Sequence, residues 1–164
     1  MNEIQSLLEQ HKFIRNRLVK LLYEIQSSGH KDALAWMMPF GKGRAHIAWQ
    51  MMHCAATIEK YLHVKLENAE PEDQKLVENY AGGSIPNPHD KTSVESIVKN
   101  LDKTILPYYD FFNHLDPSRI GEHPPGSPDR TYREILYLLN FHEASHEGQC
   151  RIIWNSYKAD REIT

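Results

Sequence analysis

The sequence predicts an all-α protein, a four-helix bundle with antiparallel helices and one long crossover, and three observations support this fold class. Four long segments place apolar residues at three- and four-residue steps, which is the period of an amphipathic helix. The stretches between these segments lack the alternating pattern of strands. The polar stretch 68–90 contains several Pro and Gly residues and is too long for a simple hairpin, so it is predicted to cross over the bundle.

The first two predicted helices cover residues 3–27 and 44–66. In the first, apolar residues from Ile4 to Ile25 form a single stripe at helical spacing. The glycines of the GKG segment, residues 41–43, predict a turn before the second helix. The second segment contains no Pro or Gly and is rich in good helix formers, so we expect it to be one uninterrupted helix.

Capping residues predict where the last two long helices begin. Thr92 or Ser93 can cap the third long helix, and Glu95 is expected to complete a capping box there. Thr131 and Glu134 form a second possible capping box, which predicts a last helix that continues to about residue 159. The last three long segments thus each begin at a cap or a turn.

Length and composition limit the partners of the chain. At 164 residues the chain is long enough for one full hydrophobic core, so we expect a single domain over residues 1–164. Hydrophobic residues at 40% and charged residues at 25% are typical of a water-soluble globular protein. The formal net charge of -3 provides no basic field, so no nucleic-acid partner is expected.

The chain carries no signal for secretion or for a membrane. Its first residues are charged throughout, and no stretch approaches the roughly 20 apolar residues of a membrane span. We therefore expect a cytoplasmic protein with no membrane partner. Cys54 and Cys150 are too few and too far apart to suggest a disulfide framework, so they are predicted to be buried free thiols.

The last predicted helix has polar side chains in the middle of its inward stripe. Apolar residues occupy both ends of this stripe, and His142, His146 and Gln149 follow one another at three- and four-residue steps between them. Burying a polar group without a partner costs about 1 to 3 kcal/mol, a large part of the roughly 5 to 15 kcal/mol that stabilise a domain. These side chains therefore require partners.

A metal ion is one such partner. His142 and His146 have the i, i+4 spacing with which an H-E-x-x-H helix binds zinc through two imidazole nitrogens. A third ligand would come from the second helix, where His53 lies deepest and His46 lies near the start, where we expect it to be exposed. Spacing alone leaves both open as the third ligand. A histidine cluster that is only hydrogen-bonded in the core is the alternative to a metal site.

Glu143 and Glu147 directly follow the two histidines of the last helix. A helix turns about 100° per residue, so both carboxylates are expected to point away from the ligand face and into solvent. We therefore do not assign either of them as the general base that a zinc protease would use.

The segment FHEASHEGQCRIIW, residues 141–154, resembles the signature of the DinB/YfiT-like superfamily, whose last helix carries H-x-x-x-H-x-G-Q. The match falls on the two histidines, Gly148 and Gln149. The segment WQMMHCAATIEKYL, residues 49–62, is similar to the second-helix pattern of that family, with the match around His53. The resemblance covers essentially the whole chain in helix order, loop placement and length.

The resemblance implies a four-helix bundle, often a homodimer, in which three histidines ligate one divalent metal, commonly zinc or nickel. Carried over by position, the ligands are His53, His142 and His146, with Gln149 beside the ligands or at an open coordination position. Some members of the family are transferases or isomerases that use a low-molecular-weight thiol such as bacillithiol, mycothiol or glutathione, and many have no assigned reaction.

Three protein ligands with an exchangeable fourth position are typical of catalytic zinc, and such an ion can bind a thiol as thiolate, the stronger nucleophile. The hypothesis is a metal-dependent enzyme that activates a low-molecular-weight thiol for transfer to a small electrophilic substrate. Activation of water for hydrolysis is equally compatible with these ligands. A noncatalytic bundle, in which a metal stabilises the fold or a dimer, is the alternative from a different class.

Overall fold

The structure is a computed structural model that describes residues 2–39 and 45–163, and these residues form five α-helices and no strand. None of the described helices is both long enough and apolar enough to cross a membrane. The predicted turn at 41–43 and Arg44, the first residue of the predicted second helix, lie outside the described residues. The helices are α1 (Glu3–Ser28), α2 (Ile47–Lys60), α3 (Gln74–Tyr80), α4 (Val94–His114) and α5 (Tyr132–Asp160).

The starts of the long helices are fixed by side-chain caps. The capping box predicted for the last helix is confirmed, since the Thr131 side chain accepts from the Glu134 amide and the Glu134 carboxylate accepts from the Thr131 amide. Ser93 caps α4 by accepting from the amide three residues later, that of Ser96. The prediction that Glu95 completes this box is wrong, because Glu95 is one residue too early and accepts a hydrogen bond from Gln26 of α1 instead.

The second helix continues past Lys60 as one π-helical segment, Tyr61–Leu66, in agreement with the predicted end at residue 66. The predicted crossover follows it and contains the short helix α3. This crossover returns the chain to the end of the bundle at which α2 began. Consequently α4 can run in the same direction as α2.

Helices α1 and α5 lie side by side and also run in the same direction. Glu3 pairs with Arg133 near the start of both helices at 2.8 Å, and Glu24 pairs with Arg151 further along both at 3.0 Å. The four long helices form a bundle in which α1 and α2 each contact α4 and α5. The predicted all-α fold is confirmed; within the bundle, the long crossover produces parallel neighbours as well as the expected antiparallel ones.

The packing of α2 on α4 shows the same parallel direction. Ile47 at the start of α2 belongs to one apolar cluster with Ile97 of α4, and Leu66 at the far end belongs to a second cluster with Phe112. Helix α5 contributes to the two clusters in the opposite order, with Leu139 in the second cluster and Trp154 in the first. Helix α5 is therefore antiparallel to α2, and this pair carries the candidate site.

A polar layer lies between the two apolar clusters. His11 and Arg15 of α1, Thr104 of α4 and Glu143 of α5 are each at most 5% exposed. Buried charges and polar groups of this kind are tolerated only when they are paired and hydrogen-bonded. The candidate site lies at the level of this layer, because its ligands on α5 include the residue next to Glu143.

Candidate metal centre

Three histidine side chains converge where α2 and α5 face each other. His53 comes from the middle of α2, and His142 and His146 come from adjacent turns of α5. One nitrogen of each ring can be chosen so that all three lie within 4.8 Å of one another. The Nε2 atoms of His53 and His142 are 3.0 Å apart. The structure thus brings together the three histidines that the sequence singled out.

The other nitrogen of two of these rings is held by a hydrogen bond. His53 Nδ1 donates to the main-chain carbonyl of Tyr80, at the end of α3, over 2.6 Å. His146 Nδ1 donates to the Gln50 side-chain oxygen over 2.8 Å, and the Gln50 amide nitrogen donates to the Ala45 carbonyl, which fixes the orientation of the amide. A protonated Nδ1 in a neutral imidazole leaves the Nε2 lone pair free to bind a metal.

The surroundings keep the three rings neutral. Burial, and then the neighbouring imidazoles, lower the pKa of His142 to about 4 and the pKa of His146 to about 3. Burial also lowers the pKa of His53. At neutral pH each imidazole is therefore in the form that a divalent metal requires.

The nitrogens of His53 and His142 stand at the spacing that one metal ion requires. Two nitrogens bound to the same ion at about 2.0–2.1 Å stand about 2.9–3.4 Å apart at right or tetrahedral angles. The 3.0 Å separation of the His53 and His142 nitrogens lies in this range. The Trp49 ring stacks on His53 with centroids 4.8 Å apart and planes within 10°, and this packing restrains the orientation of the imidazole.

His46, the rival third ligand, has a different role. It is the N-cap of α2: Nδ1 accepts from the Trp49 amide at 3.1 Å, and Nε2 donates to the Asn87 carbonyl at 2.9 Å. Both ring nitrogens are therefore occupied. The expectation that His46 is exposed is wrong, since it is 1% exposed and packs between the start of α2 and the crossover.

The inward stripe of α5 is shifted from the predicted one. Gln149 is exposed, so it does not continue the inward stripe, and its assignment beside the ligands stays a prediction. Glu143 and Glu147 are buried, at 1% and 8% exposure, and the expectation that they are solvated is wrong. Because the most buried face of α5 is the one that carries the two glutamates, the two histidines lie half-buried on its flank, towards α2.

Sequence reasoning missed the residues that orient the ligands. Gln50 lies three residues before His53, so it shares a helix face with that ligand, and this spacing is the signal that identifies it in retrospect. The Tyr80 contact uses a main-chain carbonyl, for which no side-chain pattern exists. Arg15, which pairs with Glu143, lies on α1 and becomes adjacent only in the folded bundle.

A family model described as the DinB superfamily matches residues 9–150. The matched range is most of the chain and includes all three histidines of the site. No curated protein matches the chain.

Proposed function

This chain belongs to the DinB superfamily, and on that premise we propose that it is a metal-dependent enzyme that activates a low-molecular-weight thiol for transfer to a small electrophilic substrate. One observation carries the proposal. The imidazoles of His53, His142 and His146 converge, and hydrogen bonds at Nδ1 leave Nε2 of His53 and of His146 available to a metal. Imidazole ligands suit zinc, copper, iron and nickel, and the family resemblance favours zinc or nickel among them.

A divalent ion held by these three nitrogens would supply a Lewis acid that lowers the pKa of a bound thiol. The protein residues orient and neutralise the site. The Tyr80 carbonyl and the Gln50 amide fix two rings, and burial keeps the imidazoles unprotonated. The two histidines of α5 are half-buried, and the proposal requires that a small molecule reaches their nitrogens from the solvent side.

The transfer itself forms one bond and breaks one bond at the substrate. The thiol proton leaves to solvent, and a sulfur lone pair forms the new carbon–sulfur bond. The leaving group departs with the electron pair of its bond to that carbon. This chemistry needs no oxidant or reductant, and it needs a nucleophile stronger than the neutral thiol.

The carboxylates near the ligands favour the thiol over water as nucleophile. Hydrolysis with a metal and a general base uses a free carboxylate close to the ligands, as in H-E-x-x-H proteases. Here Glu143 is engaged by Arg15 and Glu147 by Arg17, both on α1. A thiol has an ordinary pKa near 8.5, so metal binding alone suffices to ionise it at neutral pH.

Metal analysis and thiol conjugation together test the proposal. Untagged wild-type protein is expected to retain close to one divalent ion per chain, and His146→Ala is expected to retain far less. With glutathione, bacillithiol or mycothiol as thiol and monobromobimane as electrophile, the metal-loaded wild type should accelerate thioether formation and His146→Ala should not. Near-zero metal in the wild type would overturn the site, and metal binding without acceleration for any of these thiols would favour the noncatalytic alternative.

A further inference from the structure

Helix α5 contains the pattern His-Glu twice, one helical turn apart, at 142–143 and 146–147. In each pair the histidine faces α2 and the glutamate faces α1. Consecutive helical residues differ by about 100° in direction, so fixing the glutamates also fixes the directions of the histidines. Helix α5 thus binds α1 through its carboxylates and presents its imidazoles to α2.

The first glutamate is bound by a buried, two-pronged ion pair. Arg15 Nε and Nη2 donate to the two oxygens of Glu143 at 2.5 and 2.6 Å, and Arg15 Nη1 donates to the Leu101 carbonyl of α4 at 3.1 Å. Arg15 is 5% exposed and Glu143 is 1% exposed. A bidentate guanidinium–carboxylate pair is directional as well as strong, so it restricts the rotation of the helices that it joins.

The second glutamate has a similar, more exposed partner one turn later. Arg17 Nη2 lies 3.0 Å from Glu147 Oε1, and Arg151, which like Glu147 is on α5, also contacts this oxygen at 3.2 Å. The Arg17 side chain is about half exposed. The two ion pairs therefore lie on the same two turns of α5 as the two histidines.

We propose that Arg15 and Arg17, through Glu143 and Glu147, are positioning residues for the metal centre. They set the rotation of α5 so that His142 and His146 meet His53. A rotation of α5 by about 20° would move an imidazole nitrogen by about 2 Å, given a helix radius of about 5–6 Å with side chains. That displacement equals a whole metal–nitrogen bond length. This inference rests on the proposed metal-binding function.

A purely stabilising role makes a different prediction. Replacing a buried ion pair with apolar side chains of similar size often leaves stability unchanged or raises it, whereas removing one partner leaves a costly unpaired charge. The double variant Arg15→Met/Glu143→Leu removes both charges at once. It should therefore fold, and any loss of metal affinity then reports the lost orientation of α5.

The matched control is the pair between Glu3 and Arg133. This pair also joins α1 to α5 with two hydrogen bonds, at 2.8 and 3.0 Å, but it lies at the start of both helices, away from the histidines.

The experiment makes two measurements on each variant. The Zn²⁺ affinity is measured by competition with a chromogenic chelator, and the visible absorption spectrum is recorded for the Co²⁺-loaded protein. Circular dichroism of each variant establishes that it is folded.

We expect Arg15→Met/Glu143→Leu to bind Zn²⁺ about tenfold or more weakly than the wild type and to change the Co²⁺ spectrum, as for other residues that orient metal ligands. Glu3→Gln/Arg133→Met should match the wild type in both measurements. A folded Arg15→Met/Glu143→Leu protein with wild-type affinity and spectrum would overturn the inference. If the wild type itself binds neither ion, the proposed function and this inference both fail.

Arg17→Gln keeps the inference testable if the buried double variant does not fold. Its side chain is about half exposed, and Glu147 keeps its contact with Arg151, so the fold should be retained. We expect a weaker effect in the same direction, a loss of Zn²⁺ affinity of about threefold, the size typical of an exposed ion pair. An unchanged affinity in this variant would count against the positioning role.

Discussion

Tyr108 and Tyr109 are neighbours in sequence, but their hydroxyl groups have different environments. Tyr108 is fully buried, and within the described part of the chain its hydroxyl has no hydrogen-bond partner. The Tyr109 hydroxyl lies 3.0 Å from His11 Nδ1 and bonds to it. A buried polar group with a partner contributes to stability, whereas one without a partner carries the cost of its lost hydration.

Phenylalanine substitutions at these two positions should therefore have different effects. Tyr108→Phe is expected to leave the free energy of unfolding unchanged or to raise it by up to about 1 kcal/mol, because it removes an unpaired hydroxyl. Tyr109→Phe leaves His11 Nδ1 without its partner and is expected to cost about 1–3 kcal/mol. Urea unfolding monitored by circular dichroism measures the free energy of unfolding of both variants. Equal losses of this free energy in the two variants would contradict the prediction.

His11 predicts how the stability of the metal-free protein depends on pH. Burial, and to a lesser extent the Arg15 guanidinium, lower its pKa to about 4 against the opposing effect of Glu143. Tyr108 and Tyr109 of α4 also contact its ring, and its Nε2 lies 3.3 Å from Glu143 without a hydrogen bond. Since the ordinary pKa is near 6.5, the unfolded chain binds this proton at a higher pH than the folded protein does.

The contribution of His11 to the free energy of unfolding is thus fully present above pH 6.5 and is lost as the pH falls towards 4. One pKa unit corresponds to 1.36 kcal/mol, so this single residue accounts for a loss of about 3 kcal/mol across that window. We expect His11→Phe to lose less stability than the wild type between pH 7 and pH 4.5, measured by urea unfolding with a chelator present. His114→Gln, on the exposed face of α4, is the control and should retain the wild-type pH dependence.

At the scale of elements, the loop before α5 docks on the π-helical end of the second helix. The Gly126 amide donates to the Lys65 carbonyl at 3.1 Å. A Cβ added to Gly126 would lie 1.9 Å from the Val64 carbonyl oxygen, so the position allows no side chain. The close approach of two main chains thus explains why this Pro-rich loop has a glycine here.

Gly126→Ala should consequently destabilise the protein. The clash is with main-chain atoms, which cannot rotate away, so we expect a loss of about 1–3 kcal/mol, as for other overpacked sites. Gly82→Ala is the matched control, because a Cβ there meets nothing within 4 Å and the residue lies in the crossover. Thermal unfolding of the two variants beside the wild type measures the difference, and similar melting temperatures for both variants would contradict it.

The sequence predicted the elements of the fold better than their mutual arrangement. Helical periodicity and the Thr131 capping box are local signals, and they identified α1 and α5 within a few residues of their ends. The direction of α1 relative to α5 depends on how the crossover returns the chain, and no local pattern encodes it. The burial of His46 could not be predicted for the same reason, since its partner Asn87 lies 41 residues away in the crossover.

In the candidate metal centre, too, local features were predicted from the sequence and contacts between helices were not. The spacing of His142 and His146 is a property of one helix and was readable, whereas His53 was chosen over His46 by resemblance. The buried face of α5 was predicted wrongly because glutamate is rarely buried, and the partners Arg15 and Arg17, which help to make its burial favourable, lie on another helix. Residues that act through distant partners were thus the ones that sequence patterns could not identify.

At the scale of the whole molecule, a metal at this site would join α2 to α5 across the polar layer of the bundle. The two helices meet there through His53 and the histidines of α5, between the two apolar clusters. An ion that binds the folded protein and not the unfolded chain stabilises the fold by mass action. Metal binding should therefore appear as a rise in the melting temperature of the entire bundle.

Zinc at a free concentration of 100 times its Kd is expected to add about 2.7 kcal/mol to the stability. For a domain of this size each kcal/mol corresponds to about 2–4 °C, so the melting temperature should rise by roughly 5–11 °C in scanning calorimetry. His53→Ala should abolish this rise. His46→Asn should keep it, because asparagine can still cap α2 and the ligand set is intact. The opposite result, with the rise lost in His46→Asn and kept in His53→Ala, would make His46 the third ligand. Because the two histidines are seven residues apart, α2 would then have to shift along α5 by about two helical turns.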